Sequence, residues 1–307
     1  MTDRCDLRCT YCMPAEFDGY EIPDNWLQFD EIVRLSRIFV GLGVSRIRLT
    51  GGEPLMRSRI ADLVGQIAEL PGLRDLSLST NGTQLRKCAS TLKERGIRRL
   101  NVSLDTLNRE TFLKLTGRDS LDEVLSGLSA ARLAGFDPIK INMVWLPGIN
   151  QQEVEAMIEF CMARGFILRL IENMPMGRAA QAMGSSSLQP LIENLRQRFA
   201  LTDHIIPGGG PARYLRSRDS SFSIGFITPI SQHFCETCNR VRVSVSGTLH
   251  LCLGQDDQIE LLPLMRSGKS DEFIAQVIRD AVMRKPEKHE FQEKPGKIIR
   301  IMASTGG

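Results

Sequence analysis

The sequence has no apolar run approaching the roughly 20 residues that cross a bilayer, and no basic stretch at its N-terminus leads into an apolar one. Both absences argue against a membrane role, and the expected compartment is the cytoplasm. Neither sign of charge dominates. A net +3 over 307 residues argues against nucleic acid as a partner and allows only a local basic pocket for an anionic small molecule. There is no low-complexity tract and no internal repeat beyond the alternation described below. With 42% apolar and 24% charged residues, the composition is that of a folded chain with a full core, in one large domain or two unequal ones.

Cysteine is plentiful, and without a secretion signal eight of them point to metal or redox chemistry rather than a disulfide framework. Six fall into two triplets: Cys5, Cys9 and Cys12, then Cys235, Cys238 and Cys252. Cys88 and Cys161 stand alone in helical patterns and read as small buried hydrophobes.

Between residues 28 and 173, short β-branched or Leu-rich runs alternate with helical patterns. Strands are expected at Arg46–Thr50, Asp75–Thr80, Arg99–Leu104, Ile139–Trp145 and Ile167–Glu172. Helices are expected at Phe29–Val40, Ile60–Glu69, Leu85–Arg95, Leu121–Ala134 and Glu153–Ala163. Repeated βα units imply parallel strands with right-handed crossovers. Alternation within the strands groups Arg48 with Thr50, Ser77 with Ser79 and Asn81, Asn101 with Ser103 and Asp105, and Lys140 with Asn142. The opposite faces are apolar. A doubly wound sheet is apolar on both faces, so the fold class expected is α/β with an incomplete barrel and a polar lumen. From about Met183 the periodicity weakens, which predicts a first domain over 1–182 and a second module over 183–307, with one helix at Asp271–Met283.

Three thiolates on a cubane 4Fe-4S cluster leave one iron for a non-protein ligand. Zinc in the first triplet would want a fourth protein ligand, and no histidine lies near that loop. In the second triplet zinc of Cys3His type stays open, because His233 and His250 flank the cysteines. Gly51-Gly52-Glu53-Pro54 reads either as a close backbone approach to a ligand with an acceptor for an ammonium group, or as a tight turn. It shares the C-terminal rim of the strands with Ser79–Gly82, Ser103–Asp105 and Glu172–Met174, where barrel enzymes place their active sites.

The first triplet, in its spacing and with Tyr11 just before Cys12, resembles the radical S-adenosylmethionine (SAM) superfamily. The resemblance narrows with Cys5-Asp-Leu-Arg-Cys9-Thr-Tyr-Cys12-Met-Pro, Thr50-Gly-Gly-Glu-Pro-Leu-Met-Arg57, Asn101-Val-Ser-Leu-Asp105, Phe234-Cys-Glu-Thr-Cys-Asn-Arg-Val-Arg242, Leu249-His-Leu-Cys252-Leu and the terminal Gly306-Gly307. Together these resemble the GTP 3′,8-cyclases of molybdenum-cofactor biosynthesis. That family implies a (βα)6-type radical SAM barrel with a C-terminal iron-sulfur extension. It implies two 4Fe-4S clusters, held by Cys5, Cys9 and Cys12 and by Cys235, Cys238 and Cys252. It implies SAM on Tyr11, Gly52, Glu53, Ser103 and Met174, and GTP on Arg48, Ser79, Lys140, Arg240, Val241 and Arg242. A tail carrying Gly306 and Gly307 into the active site is also implied. The expected reaction is removal of the C3′ hydrogen of GTP by a 5′-deoxyadenosyl radical and closure to (8S)-3′,8-cyclo-7,8-dihydro-GTP. Expected partners are a reducing electron donor and the next enzyme, cyclic pyranopterin monophosphate synthase; a homodimer stays open. Two other readings stand beside it: a radical SAM peptide or protein maturase with an auxiliary cluster, and a non-catalytic iron-sulfur or zinc scaffold. The superfamily's first strand has no counterpart in the four residues before Cys5, so the natural polypeptide is expected to start upstream of Met1.

Overall fold

The computed structural model describes residues 1–13, 17, 23–206, 210–218, 222–291, 300 and 302–305. Five strands, β1 (Arg46–Leu49), β2 (Asp75–Thr80), β3 (Arg99–Ser103), β4 (Ile139–Trp145) and β5 (Ile167–Glu172), lie side by side in chain order, each parallel to the next. Helix α1 (Phe29–Gly41) precedes β1. Then α2 (Ile60–Ala68), α3 (Leu85–Glu94), the pair α4 (Arg109–Thr116) and α5 (Leu121–Leu133), and α6 (Val154–Arg164) fill the successive crossovers. Of these α4 alone lacks a counterpart in the sequence pattern; the ends of the other elements fall within one residue of expectation.

The strand order carries the architecture. In a doubly wound sheet the order reverses, and that reversal puts helices on both faces. Here it runs from β1 to β5 without reversal, so right-handed crossovers put every connecting helix on one face. That face holds the main core: Leu49, Leu76, Leu78, Leu100, Val102, Ile141, Met143, Leu168 and Leu170 are buried in it. On α3, Leu85, Ala89 and Leu92 recur at helical spacing and close over them. The other sheet face keeps its polar residues, as a barrel lumen does.

Beyond residue 183 the sheet continues across the expected domain boundary. Helices α7 (Gly177–Met183) and α8 (Gln189–Arg198) lead to β6 (Leu201–His204), β7 (Arg213–Ser217) and β8 (Ser223–Ile227). Strand β8 joins β5 in parallel, and β7 and β6 follow antiparallel, so the strand order ends β5-β8-β7-β6. Weak periodicity hid these short strands. A separate sheet of β9 (Arg242–Val243), β10 (Thr248–His250) and β11 (Gln258–Glu260) is followed by α9 (Leu262–Arg266), α10 (Asp271–Met283) and α11 (Met302–Thr305). Ser270 caps α10 by accepting from the Phe273 amide at 3.3 Å. Ile274, Ile278 and Ala281 then pack with Leu249, Leu261 and Leu262 against Leu35 and Ile38 of α1, forming a second, smaller core.

Strand β1 is one edge of the large sheet, and Met1–Arg4 runs beside its C-terminal extension. The Gly52 amide donates to Thr2 O and the Glu53 amide to Arg4 O, each at 2.7 Å. A Cβ on Gly51 would stand 2.3 Å from Thr2 O, and one on Gly52 would stand 2.3 Å from Arg4 O. Both glycines are thus required by a close approach of backbone to backbone.

Candidate active site

The first cysteine loop is pinned at both ends. Asp6 accepts from Asn81 Nδ2 and from Thr83 Oγ1, both at 2.7 Å, which ties Cys5 to the turn after β2. Tyr11 donates its hydroxyl to Asp105 Oδ2 at 2.7 Å, which ties Cys12 to the end of β3. Between them the Arg8 and Thr10 amides donate to Thr116 O and Leu115 O at the end of α4. A turn from the Cys9 carbonyl to the Cys12 and Met13 amides brings the thiols together. All three are free of disulfides. Burial pushes the Cys5 thiol up to about 12, the Cys12 thiol up to about 11, and Cys9 well above its ordinary value. The Leu7 amide and Asn81 Nδ2 donate to Cys5 Sγ at 3.4 and 3.6 Å, contacts of the kind that tune cluster potentials. Among the described residues no three His, Cys, Asp or Glu side chains, those of either triplet included, are gathered closely enough to hold a metal ion. The thiols of Cys5, Cys9 and Cys12 still lie near enough to act on one another electrostatically, and three soft donors with no histidine beside them are the donor set of an iron-sulfur cluster with one iron left open.

Around this loop stand the rim motifs. Ser103 is exposed at the end of β3, while Met174 is half-buried against Met176 and Phe291. Glu53, expected to face a ligand ammonium, turns inward instead. It is fully buried, with Oε1 accepting from the Leu55 amide at 3.0 Å and Thr80 Oγ1 at 2.7 Å, and Oε2 accepting from the Asn81 amide at 2.6 Å. Its carboxylate braces one rim turn against another. Burial, only partly offset by these donors, raises its pKa from 4.5 to about 7. Glu172 does the same work at the end of β5. It accepts from the Leu188 amide at 3.0 Å, the Ile230 amide at 3.1 Å, the Ser231 amide at 3.0 Å and the Ser231 hydroxyl, fixing the segment that leads to Cys235.

The lumen is a basin of positive charge. Arg48, Lys140 and Arg169 project into it from β1, β4 and β5, and Arg240 and Arg242 close on it from the second module. The Arg48 side chain is open to solvent within the concavity. Its pKa falls from 12.5 to about 10, through enclosure by protein first and then through Arg169, Arg99 and Arg240. Arg242 falls to about 9, through burial and then Arg240 and Arg48. Arg99, beside this set, is held by Asp75, whose Oδ1 accepts from Arg99 Nε at 2.8 Å and whose Oδ2 accepts from Nη2. Polar atoms without a partner among the described residues line the same face: Ser79 Oγ, Asn142 Oδ1 and Arg169 Nε, all buried. Buried polar atoms carry a desolvation cost unless something bonds to them, so this face is built for a polar ligand. Val241, expected with Arg240 and Arg242, turns away and packs in the smaller core, as alternation along a strand requires.

The second triplet lies beside this basin. Lys285 Nζ stands 3.8 Å and Arg240 Nη2 3.9 Å from Cys238 Sγ. Against the opposing effect of burial, the Arg240 amide, Arg240 and Lys285 lower the Cys238 pKa. His250 meets Arg300 Nη1 at 2.6 Å, and His233 lies edge-on to His289. Past Arg300 the chain returns to the first triplet, where the Ala303 backbone lies near the Cys12 thiol and offsets part of the effect of its burial. Gly306 and Gly307 lie outside the described residues. Cys161 is buried in the main core, as expected; Cys88 is half-buried and its thiol donates to Gln84 O at 3.3 Å.

Two lumen residues escape a reading of the sequence. Arg169 shares its strand face with Ile167 and Ile171, so only parity with Asn142 could have flagged it. Tyr214 sits in a short strand with no periodic signal.

Residues 1–161 match the model of the radical SAM superfamily, and residues 166–291 match the model named Molybdenum Cofactor Synthesis C. Over its whole length the chain is 42% identical to a GTP 3′,8-cyclase of Ectopseudomonas mendocina, covering 94% of that protein. It is also 42% identical to one of Paracoccus denitrificans, covering 91%. Among solved structures, Streptococcus suis SuiB bound to its precursor peptide SuiA superposes with a TM-score of 0.51 at 18% identity, over 64% of this chain and 45% of that one, which supports the fold alone.

Proposed function

This chain belongs to the GTP 3′,8-cyclase family of the radical SAM superfamily, and on that premise we propose how its own residues divide the work. The reaction is the cyclisation of GTP between C3′ and C8. Cys5, Cys9 and Cys12 would hold the 4Fe-4S cluster, leaving one iron for SAM. When bound, cluster and SAM supply one-electron chemistry, a 5′-deoxyadenosyl radical able to take the C3′ hydrogen.

The protein's part is to bind and orient. The convergence of Arg48, Lys140, Arg169, Arg240 and Arg242 on one lumen is the observation that carries the substrate reading. Cations confined together repel one another, and a triphosphate relieves that repulsion through charge-assisted hydrogen bonds. Ser79 Oγ and Asn142 Oδ1 offer the uncharged contacts that a ribose or base needs. Tyr11, Gly52, Ser103 and Met174 surround SAM from the rim, and Glu53 holds that rim in shape from beneath. Cys235, Cys238 and Cys252 would hold a second 4Fe-4S cluster beside the substrate basin, with three thiolates leaving one iron for a non-protein ligand. An external reductant supplies the electron, and the product passes to cyclic pyranopterin monophosphate synthase. No described helix is long and apolar enough to cross a membrane.

Anaerobic incubation with SAM, a reductant and GTP deuterated at C3′ tests this reading. Cyclised product and deuterium in 5′-deoxyadenosine are expected; 5′-deoxyadenosine without deuterium would remove the C3′ assignment. Anaerobic protein should hold about eight irons per chain, four from each triplet. Zinc on Cys235, Cys238 and Cys252 would sink the second-cluster assignment.

A further inference from the structure

Tyr214 belongs to β7, in the antiparallel arm of the sheet, yet its hydroxyl lies among the cations of the parallel half. It accepts from Lys140 Nζ at 3.1 Å, and the Arg169 guanidinium, whose Nη2 donates to Asn101 Oδ1, lies close enough to act on it electrostatically. Strand β8 lies between, and the phenol ring passes over it at Gly225, which is in register with both Arg169 and Tyr214. A Cβ on Gly225 would stand 2.7 Å from Tyr214 Cε1 and 3.0 Å from Arg169 Cγ. Glycine at this one position lets the ring lie flat enough to reach both cations. The Lys140 ammonium also stands 5.3 Å from the ring centroid, within range of the ring's negative face.

The choice of a phenol has a chemical consequence. Two like charges side by side push each other out of position, and long flexible side chains yield readily. A carboxylate between them would hold them but would cancel the charge that an anionic ligand needs. A phenol oxygen can accept from a cation on either side and cancels neither charge.

We infer that Tyr214 is a positioning residue for phosphate binding: through Lys140 and Arg169 it fixes where the triphosphate of the substrate lies, on the β4–β5 side of the lumen. The inference rests on the substrate reading above and adds to it the orientation of the nucleotide.

The test uses cluster-loaded, anaerobic protein and dissociation constants for GTP, inorganic tripolyphosphate and SAM. Tyr214→Phe keeps the ring and removes the shared acceptor. It should weaken GTP and tripolyphosphate alike, by roughly ten-fold as for loss of a hydrogen bond to a charged group, and leave SAM unchanged. In a Lys140→Ala background the same change should weaken GTP by a clearly smaller factor, because the two act through one contact. Unchanged GTP affinity in Tyr214→Phe overturns the inference, as does an equal loss of SAM affinity or full additivity with Lys140→Ala. Wild-type protein that binds GTP but ignores tripolyphosphate overturns it while sparing the substrate reading. Wild-type protein that binds neither removes both.

Discussion

The Tyr11 hydroxyl donates to Asp105 across 94 residues of sequence, at 2.7 Å, and so clamps the first cysteine loop to the end of β3. Asp105 is itself held, since its Oδ1 accepts from the Val144 amide at 2.8 Å and its carbonyl from Asn150 Nδ2 at 2.9 Å. Tyr11→Phe leaves a buried carboxylate oxygen unmatched, at a cost of about 1–3 kcal/mol. The first cluster should then lose iron to a chelator several-fold faster while the second keeps its rate. Identical release rates in variant and wild type would mean that the clamp does not hold the loop.

Gly52→Ala separates packing from ligand contact. The added methyl meets Arg4 O, and overpacking of this kind costs about 1–3 kcal/mol. Displacing Arg4 displaces Cys5, so the expected result is loss of first-cluster iron in the absence of SAM. A variant with full iron content and weakened SAM binding alone would show that Gly52 matters only to the ligand.

Arg48→Ala and Lys140→Ala should each weaken GTP by about 1.5–3 kcal/mol, the worth of a hydrogen bond to a charged group, with SAM affinity nearly unchanged. Calorimetric titration with both ligands decides it. Parallel losses for GTP and SAM would point to a general disturbance of the barrel.

Glu53 imposes a pH dependence whose sign follows from its raised pKa of about 7 against 4.5 unfolded. Between these values the folded chain keeps a proton that the unfolded chain has released, so stability falls as pH rises through the window. The full shift is on the order of 3 kcal/mol. Glu53→Gln, whatever its fixed cost, removes that slope. Its unfolding free energy relative to wild type should improve by that order between about pH 5 and pH 8. A constant difference would mean that the carboxyl does not titrate there.

Deleting Gly306 and Gly307 should leave both clusters intact and abolish cyclisation, because Ala303 already stands against Cys12 and two small residues can follow it into a crowded site. Iron content and product formation, measured together, give the answer. Full turnover in the shortened chain would make the tail a bystander.

Much of this site is legible in the sequence because strand alternation is a local property. Ser77, Ser79, Asn101, Lys140 and Asn142 declare a polar face by parity alone, and parallel strands then collect the rim motifs at one end. What escapes the sequence is set by tertiary placement. A glutamate beside two glycines carries no sign of whether its carboxylate meets a ligand or a neighbouring turn, and Glu53 turns inward. Gly51 and Gly52 read as room for a ligand, yet it is the backbone of Thr2 and Arg4 that fills that room. Arg169 hides among isoleucines, and Tyr214 reaches the lumen through a strand register fixed by long-range pairing rather than by its neighbours.

The pairing of β5 with β8 also governs the order in which the chain can assemble at the ribosome. The nascent sheet grows in chain order as far as Glu172, and its outer edge then waits for Ser223–Ile227 to emerge. Strands β6 and β7 are translated first, but β7 pairs with β8 and β6 with β7, so neither finds its place before β8 docks. At roughly 5–20 residues per second, the bare edge persists for several seconds. An uncovered strand edge is a template for mispairing, and in this topology the outer edge of β5 has no partner to cover it until β8 has been made.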